Sequence, residues 1–202
     1  MTKKEFNWIE YYNNHRNSKP TPTLLKGLKY FNDRKLSLRK KSIDIGCGQG
    51  TDTAELLREG WSVLAVDKET KAEEIIIDRF SKFHGKQLTT IVQEMETIII
   101  PKVSLVNASF SLPFCNPNKF SDLWEEIITK LTIGGIFCGQ LFGLEDSWAS
   151  NKEMTFHHRK SLDTLFRNFR IHHLHEENSV SKTSSGEEKF WHVFNIVAVK
   201  LN

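Results

Sequence analysis

Short apolar runs alternate with amphipathic stretches along the first two thirds of the chain. The apolar runs predict five strands, at residues 42–45, 63–66, 88–92, 103–108 and 136–141. Between them, apolar positions spaced three and four residues apart predict helices over residues 51–59, 71–83 and 121–130. Strands separated by helices favour an α/β fold, in which a parallel sheet carries helices on both faces.

The pattern changes after residue 160. Residues 161–169 predict a short helix, and residues 170–176 and 190–201 predict two strands with no helix between them, which favours an antiparallel pair. The polar stretch 177–188 between these strands predicts a mobile loop. At the other end of the chain, Trp8, Tyr11 and Tyr12 share one face of a predicted helix.

Length and composition narrow the class of protein. A chain of 202 residues predicts a single domain, 1–202, with a substantial core. The net charge of +3, without a long basic run, gives no indication of a nucleic-acid partner. Three cysteines without a C-x-x-C spacing indicate a reducing compartment. We find neither a signal-peptide core nor a run near the roughly 20 apolar residues of a membrane span, and therefore expect a cytoplasmic protein with no membrane partner.

A glycine-rich turn follows the first predicted strand. Asp44 lies near the end of that strand, and Gly46, Gly48 and Gly50 follow it at alternate positions. The second predicted strand ends in another acid, Asp67. Glycines allow the backbone to turn sharply and to approach a ligand closely. An acid after the second strand is placed to accept hydrogen bonds from ribose hydroxyls, so this order predicts a nucleotide-type ligand at the carboxyl edge of the sheet.

The spacing of these residues separates two cofactors. A dinucleotide-binding turn has the pattern G-x-G-x-x-G and faces a pyrophosphate. This chain has G-x-G-x-G with the Asp44 carboxylate two residues ahead, which suits a ligand with positive charge or N–H donors. The segment resembles the first motif of the class I S-adenosylmethionine-dependent methyltransferases, and Asp67 matches their second motif. An oxidoreductase that binds a dinucleotide, or a glycine turn in another α/β protein, remains the weaker alternative.

The resemblance covers roughly residues 40–202 and implies a Rossmann-like sheet of seven mostly parallel strands, the last of them antiparallel, with helices on both faces. It implies S-adenosyl-L-methionine as the cofactor. The positions that match the family's cofactor-binding residues are Asp44, Gly46, Cys47, Gly48, Gly50, Asp67, Lys68, Glu94, Met95 and Asn107. Residues 39–202 then form the core, and residues 1–38 are helical. The aromatic face within 1–38 is either a lid over the cofactor or a surface packed on the sheet edge.

The segment 107–110, at the end of the fourth predicted strand, lies where the family places the reacting methyl group. Members that methylate nucleic acids or protein amides often carry two prolines after the asparagine, and this chain lacks both. The resemblance therefore implies a small-molecule substrate, and later segments are similar to the tellurite-resistance methyltransferases. Candidate substrate contacts are Tyr12, Phe110 and His192. No catalytic base is evident, and methyl transfer needs one only when the acceptor carries a proton.

Two other functions compete with this interpretation. The histidines near residues 157, 172 and 192 suggest a metal site, but there is no H-E-x-x-H motif and no carboxylate is placed to complete one, so no metal is expected. A protein that binds S-adenosylmethionine for regulation or as a scaffold, without catalysis, is the alternative to the enzyme. That alternative predicts a blocked or shallow acceptor pocket beside Asn107.

Overall fold

The computed structural model describes residues 18–34, 37–183 and 186–202. The aromatic face of Trp8, Tyr11 and Tyr12, and with it most of the predicted lid, lies outside these residues. The choice between a lid and a packed surface therefore stays a prediction.

The described strands form one sheet around which the helices pack. Its strands are β1 (Lys41–Ile45), β2 (Ser62–Asp67), β3 (Leu88–Val92), β4 (Val103–Ala108), β5 (Leu131–Gly143), β6 (Phe156–His157), β7 (Phe169–Lys182) and β8 (Glu188–Lys200). The strand order is β3-β2-β1-β4-β5-β8-β7, and the short β6 pairs with β5. The last strand, β8, runs antiparallel to both of its neighbours, whereas the other pairings are parallel. The predicted Rossmann-like fold is confirmed.

Helices cover both faces of the sheet. They are α1 (Pro22–Asp33), α2 (Thr51–Arg58), α3 (Thr70–Arg79), α4 (Pro117–Lys130) and α5 (Ser161–Leu165). One core cluster joins α4 and α5 to the first face, where Trp124 packs on Phe137. A second cluster joins α1 and α2 to the opposite face, where Phe31 packs on Trp61.

Helix α1 crosses the second face of the sheet. It begins after Thr21, with Pro22 preset for the first helical position. Leu24 and Leu28 are buried below it. Gly27 lies so close to Cys138 of β5 that a methyl group there would overlap the thiol, which brings the helix backbone down onto the strand. This close approach places the start of α1 beside the carboxyl ends of β1 and β4.

Four polar side chains interrupt that apolar face near its carboxyl edge. Asp44 is opposite Asn107 across β1 and β4, and Gln140 is opposite Asn195 across β5 and β8. Because side chains alternate between the faces of a strand, these four share a face with buried residues such as Leu105. Asp44, Asn107 and Gln140 are buried, so the sheet carries a polar strip at the place where α1 begins to cover it.

Some predicted boundaries were wrong. Helix α4 starts four residues earlier than predicted, because the Asn116 side chain accepts a hydrogen bond from the Asn118 N–H at 2.9 Å and Pro117 opens the helix. Helix α3 ends at Arg79 rather than at residue 83. Residues 166–169 are not helical, since β7 begins at Phe169.

The predicted loop at residues 177–188 was also wrong. Strands β7 and β8 stay paired from Phe169↔Lys200 to Lys182↔Glu188, so most of this stretch is a hairpin. Its side chains are polar because β7 is the edge strand and the hairpin extends past the end of β5, where water reaches both faces. The polar composition of this stretch therefore reflects its exposure to water. Its backbone is nevertheless hydrogen-bonded between the two strands.

Candidate active site

The glycine-rich turn connects β1 to α2 at the carboxyl edge of the sheet. Gly46, Gly48 and Gly50 have φ angles of 67°, 51° and 79°, in the left-handed region that favours glycine. The N–H groups of Gly46 and Cys47 both donate to the Val66 carbonyl, at 2.8 and 3.0 Å, which fastens the turn to the end of β2. Gly46 is also packed against Ser111, and a side chain at residue 46 would overlap it.

The far side of the turn is held by α3. The Arg79 guanidinium donates a hydrogen bond to the Gln49 carbonyl. Gly50 lies over Phe80, and a Cβ atom on Gly50 would be 2.8 Å from that ring. The turn is thus fixed from β2, from α3 and from Ser111, and its backbone is pre-shaped for a ligand above it.

Asp67 ends β2 next to this turn. Its carboxylate accepts the Gly48 N–H at 2.8 Å and the Glu69 N–H at 3.0 Å. These two bonds orient the carboxylate beside the glycine turn. The neighbouring predicted residue, Lys68, is exposed to solvent.

Asp44 lies beneath the turn and is 2% exposed. The Thr53 hydroxyl donates to one carboxylate oxygen at 2.6 Å, and the Asn107 amide donates to the other at 2.8 Å. The structure therefore brings together Asp44 and Asn107, which the sequence predicted separately as cofactor-binding residues.

A second buried carboxylate, Asp52, shares the same amide. The Asn107 side-chain nitrogen donates to it at 3.0 Å. The N–H and hydroxyl groups of Thr21 donate to Asp52 at 2.8 and 2.7 Å. The Ser109 hydroxyl completes the network. It lies 2.8 Å from the Thr21 hydroxyl and donates to the side-chain oxygen of Asn107 at 3.1 Å. The start of α1 is thereby tied to the glycine turn through buried polar groups.

The network holds two acids and only neutral donors. Burial, together with the neighbouring Asp52 charge, raises the pKa of Asp44 to about 7, although the bonds from Thr53 and Asn107 oppose the shift. Within the described ranges, no lysine, arginine or histidine forms an ion pair with Asp44 or Asp52. A buried carboxylate without a cation is unstable in its charged form, so a cationic ligand would stabilise this site.

Phe110 lies just beyond β4, on the side predicted for the acceptor, and is 39% exposed. Its φ of 53° is strained for a residue with a large side chain. The buried Gln140 side chain supports this conformation, since its carbonyl oxygen accepts the Phe110 N–H at 3.0 Å. The Gln140 amide nitrogen is held in turn by Thr23 at 3.0 Å and Asn195 at 3.3 Å.

The predicted adenine-side residues follow β3. Glu94 is exposed, and its carbonyl accepts the Thr97 N–H at 3.1 Å in a short 3₁₀ turn. Met95 is half-buried and packs against the main core. Because β3 lies next to β2, both residues are at the same sheet edge as Asp67.

His192 lies at the start of β8, opposite the end of β5. Its Nδ1 accepts the Glu145 N–H at 3.2 Å, and its Nε2 is 2.9 Å from the Glu176 carboxylate. The ring fills the space above Gly143, where any side chain would overlap it. Both ring nitrogens are thus engaged within the protein, so a substrate contact from His192 remains a prediction. Tyr12 lies outside the described residues.

Sequence reasoning missed several residues of this site. Asp52 and Thr53 open α2 and have the ordinary composition of a first helical turn, so nothing marked them as part of a network. Thr21 has the composition of a helix cap, and its partner lies 31 residues away in the chain. Gln140 did carry a signal, because it is an amide within an apolar strand.

Comparisons with known proteins show what this chain is similar to. A family model described as a methyltransferase domain matches residues 43–135, which contain the glycine turn, Asp67 and Asn107. The matched segment is 93 of the 202 residues, and it agrees with the resemblance to the class I S-adenosylmethionine-dependent methyltransferases. A curated relative, the carboxy-S-adenosyl-L-methionine synthase of Cronobacter sakazakii, is 26% identical over 121 residues, or 57% of this chain and 49% of that protein. The chain spans about half the length of that relative.

Solved structures of this methyltransferase fold agree over nearly the whole chain. TehB from Haemophilus influenzae has a TM-score of 0.74 at 13% identity, over 94% of this chain and 65% of that one. A Burkholderia thailandensis 1,6-didemethyltoxoflavin-N1-methyltransferase, with its substrate and S-adenosylhomocysteine bound, has a TM-score of 0.65 at 18% identity, over 96% and 86%. At these identities the likeness concerns the fold, and the resemblance to the tellurite-resistance type is confirmed at that level.

The described residues were compared with the requirements of a membrane-spanning helix and of a metal cluster. No helix among them combines the length and the apolar character needed to cross a membrane. No group of three or more His, Cys, Asp or Glu side chains in these ranges is arranged to hold a metal ion.

Proposed function

We propose that this protein transfers the methyl group of S-adenosyl-L-methionine to a small molecule. The observation that carries the proposal is the buried network of Asp44, Asn107 and Asp52 beneath the glycine turn. It has two carboxylates and no cation among the described residues. The α-ammonium group of the cofactor would supply the missing positive charge.

The chain's residues fit this cofactor by their chemistry. Asp44 receives the amino acid end, and Asp67 accepts the ribose hydroxyls while the Gly48 and Glu69 N–H groups hold it in place. Glu94 and Met95 border the adenine. The Ser111 hydroxyl beside Gly46 is buried and has no hydrogen-bond partner in the described part of the chain, so it offers one further polar contact.

Methyl transfer depends mainly on the alignment of the methyl donor with the acceptor. The cofactor supplies a methyl group already activated by its sulfonium. The protein contributes by holding donor and acceptor in line, and orientation of this kind can lower a barrier by as much as roughly 7–11 kcal/mol. Gln140 fixes the Phe110 backbone at the end of β4, where we place the acceptor, and the buried network fixes Asn107 beside it.

Several observations favour a small acceptor. The two prolines typical of nucleic-acid and protein-amide methylating members are absent after Asn107, and the chain carries a net charge of only +3. The Burkholderia neighbour is a methyltransferase of 1,6-didemethyltoxoflavin, as its name states. We assign Phe110, His192 and Tyr12 to the acceptor side, and we expect the protein to act in the cytoplasm without nucleic acid.

A second candidate follows from the curated relative. That protein is named a synthase of carboxy-S-adenosyl-L-methionine, so its product is a modified form of the cofactor. A chain that is 26% identical over 57% of its length can share that chemistry. Here the cofactor would be altered and no methyl group would reach a separate acceptor.

One experiment separates the candidates. The protein is incubated with S-adenosylmethionine labelled in its methyl group and with a metabolite panel, and all products are resolved by mass. Methyl transfer yields S-adenosylhomocysteine and a labelled acceptor, whereas the second candidate takes a carboxyl group from a carboxylate donor in the panel and yields a carboxylated cofactor that keeps the label, together with the decarboxylated donor. Binding without any product would favour a regulatory or scaffold role.

A binding control establishes the cofactor. S-adenosylmethionine and S-adenosylhomocysteine should raise the thermal midpoint, because a ligand at 100 times its Kd stabilises the folded state by about 2.7 kcal/mol. NAD should leave the midpoint unchanged. A rise with NAD alone would overturn the cofactor assignment.

A further inference from the structure

A basic pocket lies at the other end of α1, away from the glycine turn. It has a volume of about 290 Å³ and is bordered by Lys26, Lys29, Tyr30, Asp33, Arg34, His172 and His173. Helix α1 supplies one wall and the edge strand β7 supplies the other. None of these residues takes part in the site described above.

The charge of this pocket is unbalanced. Its one carboxylate, Asp33, is 2.7 Å from the Lys29 ammonium, so these two charges offset each other. Lys26 and Arg34 have no carboxylate partner among the described residues. The helix C-terminus adds partial negative charge, but Arg34 lies at that end and counters it. Two cations and two imidazoles are left facing one cavity.

An irregularity of β7 brings both imidazoles to this wall. Consecutive residues of a regular strand point to opposite faces, so His172 and His173 should diverge. The register of β7 against β8 shifts between Ile171 and His173, and both histidines border the pocket. Burial lowers the pKa of His173, and the nearby Lys26, His175 and His172 charges lower it further. The pocket therefore has a positive potential that an anion would relieve.

The same pocket has an aromatic wall. The Tyr30 ring centroid is 4.3 Å from that of His172, and the Arg34 guanidinium carbon is 5.2 Å from the Tyr30 centroid. A flat ring could stack on this wall while its anionic group meets the cations. The volume, at the small end of ligand pockets, suits one ring with one charged group.

We propose that the α1–β7 pocket binds a small phosphate-bearing molecule with a planar ring. Arg34 and Lys26 meet the phosphate, and Tyr30 and His172 hold the ring. The site is separate from the methyl-transfer site: the buried network meets α1 at Thr21, whereas the pocket is bordered by Lys26 to Arg34, and Thr21 and Tyr30 are about 14 Å apart along the helix axis. Binding in this pocket does not require the proposed reaction.

The test is a titration of the protein with phenyl phosphate, followed by NMR of the histidine ring protons. Phenol and inorganic phosphate are titrated in parallel, to separate the ring from the anion. Phenyl phosphate should shift the His172 and His173 signals saturably, more tightly than inorganic phosphate, and phenol should not. The double variant Lys26→Gln/Arg34→Gln should bind at least about tenfold more weakly, since two charge-assisted hydrogen bonds are lost.

The matched control is Lys71→Gln on α3, which removes an exposed lysine at a distance from this pocket and should leave the affinity unchanged. Equal weakening in the control would show only a general charge effect and would overturn the proposal. The absence of any saturable shift in the wild-type protein would overturn it without the variants. So would a response to a heparin oligosaccharide alone, since that indicates a polyanion surface.

Discussion

Two buried charged clusters lie near the carboxyl edge of the sheet, and they are built in opposite ways. The cluster below the glycine turn contains Asp44 and Asp52, with neutral donors around them. The cluster beyond β5 contains Lys189 and Asp146, whose side chains are 1% and 0% exposed and 2.5 Å apart. The first holds unbalanced charge, and the second is neutral as a pair.

The second cluster is complete within the chain. The Lys189 ammonium lies 3.6 Å from the Trp191 ring centroid and 4.4 Å from that of Trp148. Asp146 also accepts the Trp148 and His192 N–H groups, at 2.9 and 3.2 Å. Burial lowers the pKa of Lys189, and the Asp146 carboxylate opposes that shift. Nothing is left for a ligand to neutralise.

The two clusters therefore have different roles: one stabilises the fold, and the other is placed to bind a ligand. A satisfied ion pair with aromatic contacts fixes the loop after β5 and the base of the hairpin, so its loss should destabilise the fold. Two buried acids without a cation are costly in their charged form, and that cost is relieved when Asp44 takes up a proton or when a cation binds. We therefore expect stability effects from the Lys189 cluster and ligand effects from the Asp44 cluster.

The largest effect should come from breaking the ion pair. Lys189→Met leaves Asp146 buried and uncompensated, which should lower the free energy of unfolding by about 3–5 kcal/mol. Urea denaturation measures this, with Lys71→Met as an exposed control that should stay within about 0.5 kcal/mol. If the folded variant binds S-adenosylhomocysteine with wild-type affinity, the Lys189–Asp146 pair stabilises the fold and takes no part in cofactor binding. A cost no larger than that of the control would contradict it.

The second effect is the pH dependence of the ligand-free protein. The folded pKa of Asp44 is raised from 3.8 to about 7, so the folded state holds the proton more tightly than the unfolded chain does. The stability contributed by that proton is fully present below pH 3.8 and is lost as the pH rises through about 7. The free energy of unfolding should fall by at most about 4 kcal/mol over this change.

Chemical denaturation from acid to neutral pH measures the slope. Asp44→Asn should remove that part of the slope, and saturating S-adenosylhomocysteine should reduce it in the wild-type protein, because a bound cation favours the carboxylate. The same slope in the wild type and in Asp44→Asn would assign the dependence to other groups.

The third effect concerns Asp67, which borders the ligand. In Asp67→Ala the ribose hydroxyls lose a charged acceptor, worth about 1.5–3 kcal/mol, or a roughly 10- to 150-fold weaker cofactor affinity. The variant also loses the bonds to the Gly48 and Glu69 N–H groups, so a small stability change accompanies it. Calorimetric titration and a denaturation curve on the same sample separate the two. Unchanged affinity with reduced stability would leave Asp67 as a turn residue only.

The smallest effect should come from the link between α1 and the network. Thr21→Val removes the hydroxyl bond to Asp52, and we expect a loss of about 1 kcal/mol in stability. Thr21→Ser keeps the hydroxyl and serves as the matched control. Equal stability of the two variants would show that the hydrogen bond from the Thr21 backbone N–H to Asp52 is enough to link α1 to the network, without the hydroxyl.

The sequence predicted the glycine turn, Asp44, Asp67 and Asn107 because each is placed by a strand end. The carboxyl ends of parallel strands converge at one edge, so local position in the chain determines proximity. The parallel pairing of the sheet follows from the same alternation of strands and helices, and the family resemblance adds the antiparallel last strand.

The rest depends on how separate elements pack. Asp52 meets Thr21 only because α1 lies close on β5 at Gly27, and no local pattern encodes that crossing. Lys189 and Asp146 are 43 residues apart, and each has an ordinary surface composition in its own segment. The hairpin at 177–188 was missed since polar edge strands and loops share a composition.

Proton-linked calorimetry tests most directly whether the Asp44 cluster awaits a cation. S-adenosylhomocysteine is titrated into the protein at pH values of about 6 and about 8, each in two buffers of different ionisation enthalpy. We expect release of a substantial fraction of a proton at the lower pH, because the ligand's ammonium group drives Asp44 to ionise. We expect almost none at the higher pH and none in Asp44→Asn. Binding without proton release at the lower pH, or no binding at all, would contradict the assignment of this cluster to a cationic ligand.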